Sequence, residues 1–180
     1  PLCFGEATKF SQFLLDADKG YLSTIVLGVA TDTADADGQV IARKKATAVD
    51  ADAVRQAMTT LTGAIEQVPP MYSALKVNGQ PLYKRARAGE EIERAARPVH
   101  IHQFDLLAYT PGVAAEINTA VLCSKGTYIR ALAEDLGTAL NLPAHVKTLR
   151  RTQAGPFGLA KAVTLSQLEA AVEAGSEDRL

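Results

Sequence analysis

An α+β fold with a mixed, largely antiparallel central sheet flanked by helices is what this 180-residue sequence predicts. Three observations carry the prediction. Alternating stretches rich in Val, Ile and Thr come as a hairpin pair, Val99 to Tyr109 and Val113 to Cys123, around Pro111-Gly112. Helical periodicity is unevenly placed, at Val54 to Leu61 and Thr127 to Leu140. The strict strand–helix alternation of a doubly wound parallel sheet is missing.

The elements follow in order. The chain opens on Pro1-Leu2-Cys3-Phe4 without an initiator methionine, as a chain entered in mid-domain would. Glu6 to Leu15 places Ala7, Phe10, Phe13 and Leu14 on one face of a helix. Tyr21 to Val29 alternates as a strand, Thr31 to Gly38 is an Asp-rich turn, and Gln39 to Lys44 is a second strand. Asp50 or Asp52 caps a helix bearing Val54, Ala57, Met58 and Leu61 that stops at Gly63. Pro69-Pro70 then breaks the chain, and residues 70–98 read as a polar, basic insertion with a turn at Asn78-Gly79 and a short helix from Pro81 to Ala88. Beyond the hairpin, Thr127 to Leu140 carries Ile129, Leu132, Ala133, Leu136 and Leu140 on its buried stripe. Val146 to Thr152 is a strand, and Thr164-x-x-Gln167 opens a last helix through Val172. The whole reads as a single domain, 1–180, containing the insertion.

Composition narrows the class. With 47% hydrophobic and 22% charged residues the chain is globular rather than disordered. No apolar run approaches the ~20 residues that span a bilayer, and no basic segment precedes an apolar one, so neither membrane association nor a signal peptide is expected. Cys3 and Cys123 are too few for a disulfide framework and wrongly spaced for zinc, which points to a reducing cytoplasm. The net charge is only −1, but residues 76–100 hold six Lys/Arg against three Glu, and residues 125–151 hold five against two acids. A basic face on a neutral protein can attract nucleic acid, and a solvated surface accounts for the same charges.

The chemistry gathers around Cys123-Ser124-Lys125-Gly126-Thr127-Tyr128-Ile129-Arg130. A polar turn with a lysine opens an amphipathic helix, whose unsatisfied N–H groups and dipole suit an anion. Arg130 at that positive end is disfavoured without a compensating anion, an aspartate or a phosphate; an i,i+4 pair with Glu134 is the simpler alternative. Asp32, Asp35, Asp37 and Gly38 do not form a calcium loop, because Thr33 and Lys44 would fall at its first and last ligand positions. Their shared property is self-capping of a turn. His100 and His102 share a strand face but have no third ligand nearby, so no metal site is expected. His145 reads as structural. Lys147, Arg150 and Arg151 flank an apolar strand, fit either to bind a phosphate backbone or to solvate an edge.

Six blocks in order make the sequence resemble the TruB family of bacterial tRNA pseudouridine synthases: residues 5–10, 18–21, 31–38, 70–76, 123–130 and 144–151. The resemblance covers essentially the whole chain. It implies a pseudouridine synthase-like fold, isomerisation of uridine-55 in the tRNA T-loop, and no cofactor or metal. The family's aspartate nucleophile lies in a Gly-x-Leu-Asp-Pro-x-Ala-Thr-Gly motif that this sequence does not contain, and the C-terminal PUA domain is likewise expected to be missing. The 180 residues alone are therefore expected to be inactive. The resemblance further implies that Tyr21 stacks on the target base and takes part in proton removal. It implies that Arg130 pairs with the nucleophile, that Asp35 holds Arg130 from its other side, and that Tyr128 and Leu149 line the base pocket. Residues 70–98 would clamp the RNA stem-loop, ordering only on RNA. Lys9, Lys76, Lys84, Lys125 and Arg150 are the expected substrate-binding cations. The residue types suit this chemistry. A flipped base needs aromatic and apolar walls in place of its lost stacking, and an attacking carboxylate needs an aimed cation. The partner is tRNA, met by a monomer. A non-catalytic tRNA-binding or folding module, and a small-molecule enzyme holding a phosphate at the Gly126 turn, are the alternatives; no Walker or dinucleotide fingerprint supports the second.

Overall fold

Residues 1–77, 79–90 and 92–176 are described by the structure, a computed structural model. The predicted first helix is two short pieces, a 3-10 segment Gly5–Phe10 and α1, Ser11–Asp16. Neither buries a residue. Phe10 and Phe13 are 64% and 72% exposed, their rings tilted against each other with centroids 6.5 Å apart. Periodicity marks the face a helix can bury; no described part of the chain covers it here.

β1 runs Lys19–Leu27 and stops at Gly28, short of the predicted end at Val29. At Gly28 φ is +96°, and a Cβ would lie 2.6 Å from the Lys44 carbonyl oxygen, so only glycine lets the two chains meet. β2, Val29–Thr31, then pairs with β3, Val40–Arg43, as a separate ribbon. The intervening turn caps itself as expected: Asp32 Oδ1 accepts from Gln39 N at 2.8 Å, and Asp35 Oδ1 accepts from Thr33 Oγ1 at 2.6 Å. α2, Ala51–Thr60, is capped by Asp50 and buries Val54, Ala57 and Met58. β4, Gly63–Gln67, has no counterpart among the predicted elements; five residues between a glycine stop and two prolines carry too little pattern to announce a strand.

Within residues 70–98, β5 (Lys76–Val77) pairs with β6 (Gln80–Pro81) and α3 spans Leu82–Arg87. Of the predicted Asn78-Gly79 turn, Asn78 lies outside the described residues and Gly79 has φ +81°. Leu82 is fully buried and anchors this polar segment. β7 is Arg97–Thr110 and β8 is Ala115–Cys123, two residues later than predicted, with Val113 exposed in the turn. α4 is Ile129–Ala139. β9, Ala144–Ala154, starts earlier than predicted because Ala144 and His145 pair with Leu27 and Val26. β10, Phe157–Gly158, and a 3-10 turn Leu159–Lys161 are too short for any sequence pattern to mark. α5, Leu165–Glu173, opens on the predicted Thr164–Gln167 capping box.

Six strands form one sheet in the order β10-β9-β1-β8-β7-β4, every neighbouring pair antiparallel. The expected mixed character survives only as an isolated parallel bridge, Asp35 to Val146, with Val146 N donating to the Ala34 carbonyl at 3.0 Å. Ile25, Ile117 and Val146 share one face by register and meet Val54, Met58, Leu132 and Leu136 of α2 and α4 in the core. The hydrophobic effect over this interface is the main source of cohesion. Gly137 lets α4 come down on β9: a Cβ there would sit 2.7 Å from that of Ala144. The opposite face carries Leu22, exposed, and a hydroxyl–amide chain in which Thr148 Oγ1 donates to Thr24 Oγ1 and Thr24 to Asn118 Oδ1, both at 2.9 Å. His145 is buried with Nδ1 2.8 Å from the Val29 carbonyl, the structural role expected of it. No described helix is long and apolar enough to cross a membrane.

Candidate active site

The Gly126 turn and the first turn of α4 organise the site. Gly126 takes φ +79°, Thr127 Oγ1 donates to the Ser124 carbonyl at 3.0 Å, and Ser124 Oγ accepts from His100 N at 2.9 Å. These bonds tie the turn to β7. Tyr128 is the N-cap residue of α4 but offers no side-chain cap; instead its N–H donates to Gln67 Oε1 at 2.7 Å. Arg130 therefore stands at the positive end of a helix whose first turn holds no acid.

The compensating anion is Asp35. Arg130 Nη1 lies 2.9 Å from Asp35 Oδ2 and 3.2 Å from the Thr33 carbonyl, and Nη2 donates to the Tyr72 carbonyl. The two side chains are 23% and 29% exposed, so water screens the pair only partly. Glu134 is not its partner. The parallel bridge from Asp35 to β9 carries the carboxylate to α4, and Asp35 Oδ1 is fixed by Thr33 and by Asp37 N. The guanidinium is thus aimed by an acid, by the Asp-rich turn and by the root of the 70–98 segment together.

The predicted aromatic and apolar residues lie on the sheet. Register puts Tyr21 opposite Arg151 and Ser23 opposite Leu149, so all four project from the core face, beyond the rows that α4 covers. Tyr21 is partly buried against the core cluster that includes Ile129 of α4, and Arg151 Cζ stands 5.7 Å from its ring centroid. Leu149 is 48% exposed. Arg150 alternates to the opposite face, across from Leu22, and does not join this group. The other predicted cations are also dispersed. Lys9 pairs with Glu6 on the exposed N-terminal segment, and Lys76 and Lys84 are exposed on β5 and α3. Lys125 pairs with Asp16 at 2.8 Å and holds that carboxyl below its ordinary range. Lys147, one of the candidate backbone cations, pairs with Glu116 at 2.6 Å. The His100 and His102 rings are tilted against each other with centroids 4.8 Å apart, and His102 Nε2 lies 3.2 Å from Asp18.

Beside Arg130 opens a cleft of about 440 Å³ lined by Asp32, Thr33, Tyr72, Arg94, Glu134 and Asp135, among others. Burial raises the Glu134 carboxyl, as does the neighbouring Asp135, against the pull of Arg94 and Arg130. Burial likewise raises Asp135. A carboxyl raised in the folded state binds protons more tightly than in the unfolded chain, so its contribution to stability is complete at low pH and is lost as pH rises through the folded pKa. Glu134 is an exposed residue of α4, so water screens the effect, and Glu134→Gln should raise the melting temperature at pH 7 by no more than about 1 °C. The gain should vanish near and below pH 4.5, the ordinary value for this group. Thermal scans at the two pH values check this; a variant that melts lower than wild type at pH 7 contradicts it.

Sequence reasoning missed several of these residues. Thr33 and Tyr72 act through main-chain carbonyls, which no side-chain pattern announces. Arg94 and Gln67 sit far from α4 in sequence. Arg151 could be told from Arg150 only by strand register.

Known proteins resemble this chain in sequence and in architecture. Residues 1–129 match a family profile described as the N-terminal domain of TruB family pseudouridylate synthase, and residues 130–180 one described as the tRNA pseudouridylate synthase B C-terminal domain. A curated relative from Pseudomonas aeruginosa (strain UCBPP-PA14), named tRNA pseudouridine synthase B, is 57% identical over 180 residues, covering 100% of this chain and 58% of the relative. One of the same name from Saccharophagus degradans is 57% identical over 169 residues, covering 94% of this chain and 54% of its own. The chain thus spans a little over half the length of these relatives. Among solved structures, a chain of a Cbf5-Nop10-Gar1 complex aligns with a TM-score of 0.67 at 28% identity, covering 97% of this chain and 42% of that one. The archaeal box H/ACA sRNP Nop10-Cbf5 complex gives 0.61 at 25% identity, covering 96% and 41%.

Proposed function

The chain belongs to the TruB family of pseudouridylate synthases, and from that premise we propose that it forms the body of a catalytic domain converting uridine-55 of the tRNA T-loop to pseudouridine. It acts on tRNA as a cytoplasmic monomer without cofactor or metal. The observation that carries the reading is the Arg130 guanidinium, held by Asp35 at the mouth of α4. In the reaction the N1–C1′ bond of the nucleotide breaks, the base turns, a C5–C1′ bond forms, N1 gains a proton and the C5 proton leaves to solvent. An aspartate carboxylate attacks C1′ as the N1–C1′ bond breaks, the electron pair of that bond leaving with the base, and C5 of the turned base then displaces the carboxylate from C1′. Arg130 keeps that carboxylate ionised and aimed. The target base leaves its stack, and Tyr21, Tyr128 and Leu149 replace the lost contacts. Tyr21 also takes part in removing the C5 proton. Residues 70–98 clamp the stem-loop, with Lys76 and Lys84 contacting phosphate; Lys9, Lys125 and Arg150 add sequence-independent attraction.

The attacking carboxylate is not among the aspartates of these 180 residues, because none lies in the family's Leu-Asp-Pro motif. The test is tritium release from T-stem-loop RNA labelled at uridine C5. The natural full-length polypeptide should release tritium, and the 180 residues alone should bind the RNA without release. Turnover by the 180 residues alone would refute the assignment of the nucleophile. Binding without release by the full-length polypeptide would favour the tRNA-folding alternative.

A further inference from the structure

Gln67 ends β4 and is 2% exposed. Its Oε1 accepts the Tyr128 N–H at 2.7 Å, one of the donors that the start of α4 leaves unsatisfied. No local side chain does that work: the Thr127 hydroxyl is committed to the Ser124 carbonyl, and Tyr128 provides no cap. The other half of the amide, Nε2, is buried without a hydrogen-bond partner among the described residues. Gln67 also opposes the rise that burial imposes on the Asp135 carboxyl, although no hydrogen bond joins the two. The next residues, Val68-Pro69-Pro70, begin the segment whose Tyr72 carbonyl receives Arg130 Nη2. A buried glutamine with half its amide unmatched is a poor choice for packing alone.

We propose that Gln67 is a positioning residue: by capping α4 from a neighbouring strand it fixes the angle at which Arg130 leaves the helix and ties that angle to the root of the 70–98 segment. The inference rests on the role given to Arg130 above. Its test uses Gln67→Met, which keeps length but has no acceptor, and Gln67→Glu, which keeps one, in the natural full-length polypeptide. Q67M should lower kcat for tritium release by about tenfold, the scale of one lost buried hydrogen bond, with the RNA dissociation constant within about threefold of wild type. Q67E should recover most of kcat at the acid end of the activity range, where a proton shared with Asp135 removes the repulsion between the two carboxyls, and less as the pH rises. In Q67M the amides of Ile129 to Leu132 should exchange faster with solvent while those of β1 and β8 do not change. A Q67M protein with wild-type kcat overturns the proposal, as does a parallel loss of kcat and RNA affinity in both variants. If Q67M fails to fold, Q67E at the acid end of the activity range decides: kcat kept there supports the cap, kcat lost there as well as at higher pH removes it. An Arg130→Ala protein retaining kcat would sink the functional reading itself. An inactive Arg130→Ala beside an intact Q67M sinks only the role of Gln67.

Discussion

Replacing Arg130 with alanine should reduce kcat for tritium release by about 10²–10³-fold, the usual effect of deleting one preorganised group that stabilises charge. RNA affinity should fall no more than about threefold, because the proposed reading assigns most of the binding to phosphate contacts by other residues. The split follows from geometry. The guanidinium is turned inward onto Asp35, Thr33 and Tyr72 and is 23% exposed, so it is poorly placed to meet a phosphate backbone. Lysine would not substitute well, since a point charge cannot serve several acceptors in one plane. Lys84, exposed on α3, is the control. Its alanine variant should weaken binding and lower the salt slope by roughly one while kcat at saturation holds. Equal effects of the two substitutions on both constants would contradict these roles.

Asp35→Asn should cost about 2–3 kcal/mol of stability, because it leaves a largely buried guanidinium facing an amide. Melting should drop by about 5–10 °C for a chain of this size. The substitution is nearly isosteric, and the oxygen accepting from Thr33 Oγ1 and Asp37 N can remain. The turn should therefore persist while the arginine loses its anchor, and kcat should fall with it. A loss of stability without loss of kcat would show that the pair holds the fold together and does not aim the guanidinium. Differential scanning fluorimetry and the tritium assay, run on one preparation, separate these outcomes.

Sheet, hairpin and the principal helices were legible because their signals are local. Pro111-Gly112, the α2 cap at Asp50 and the Thr164–Gln167 box each act within a few residues. The first helix misled, since Phe10 and Phe13 declare an apolar face whether or not a partner is present. β4 was illegible because five residues paired to β7 owe their conformation to that partner. In the site, the helix-dipole argument called for an anion beside Arg130 without saying which, and only the family resemblance pointed to Asp35. Backbone acceptors and the lateral cap by Gln67 left no trace in residue patterns. The face occupied by Arg151 rather than Arg150 depends on bulges in β1–β9 pairing that composition does not encode.

The anchors of Arg130 are separated from it by 95, 97 and 58 positions along the chain. Each such closure is entropically costly and succeeds only once intervening strands have paired. A partly folded molecule, still threading from the ribosome or recovering from heat, consequently has a loose arginine and no aimed charge. On the proposed reading, chemical competence arrives only after the strands have paired.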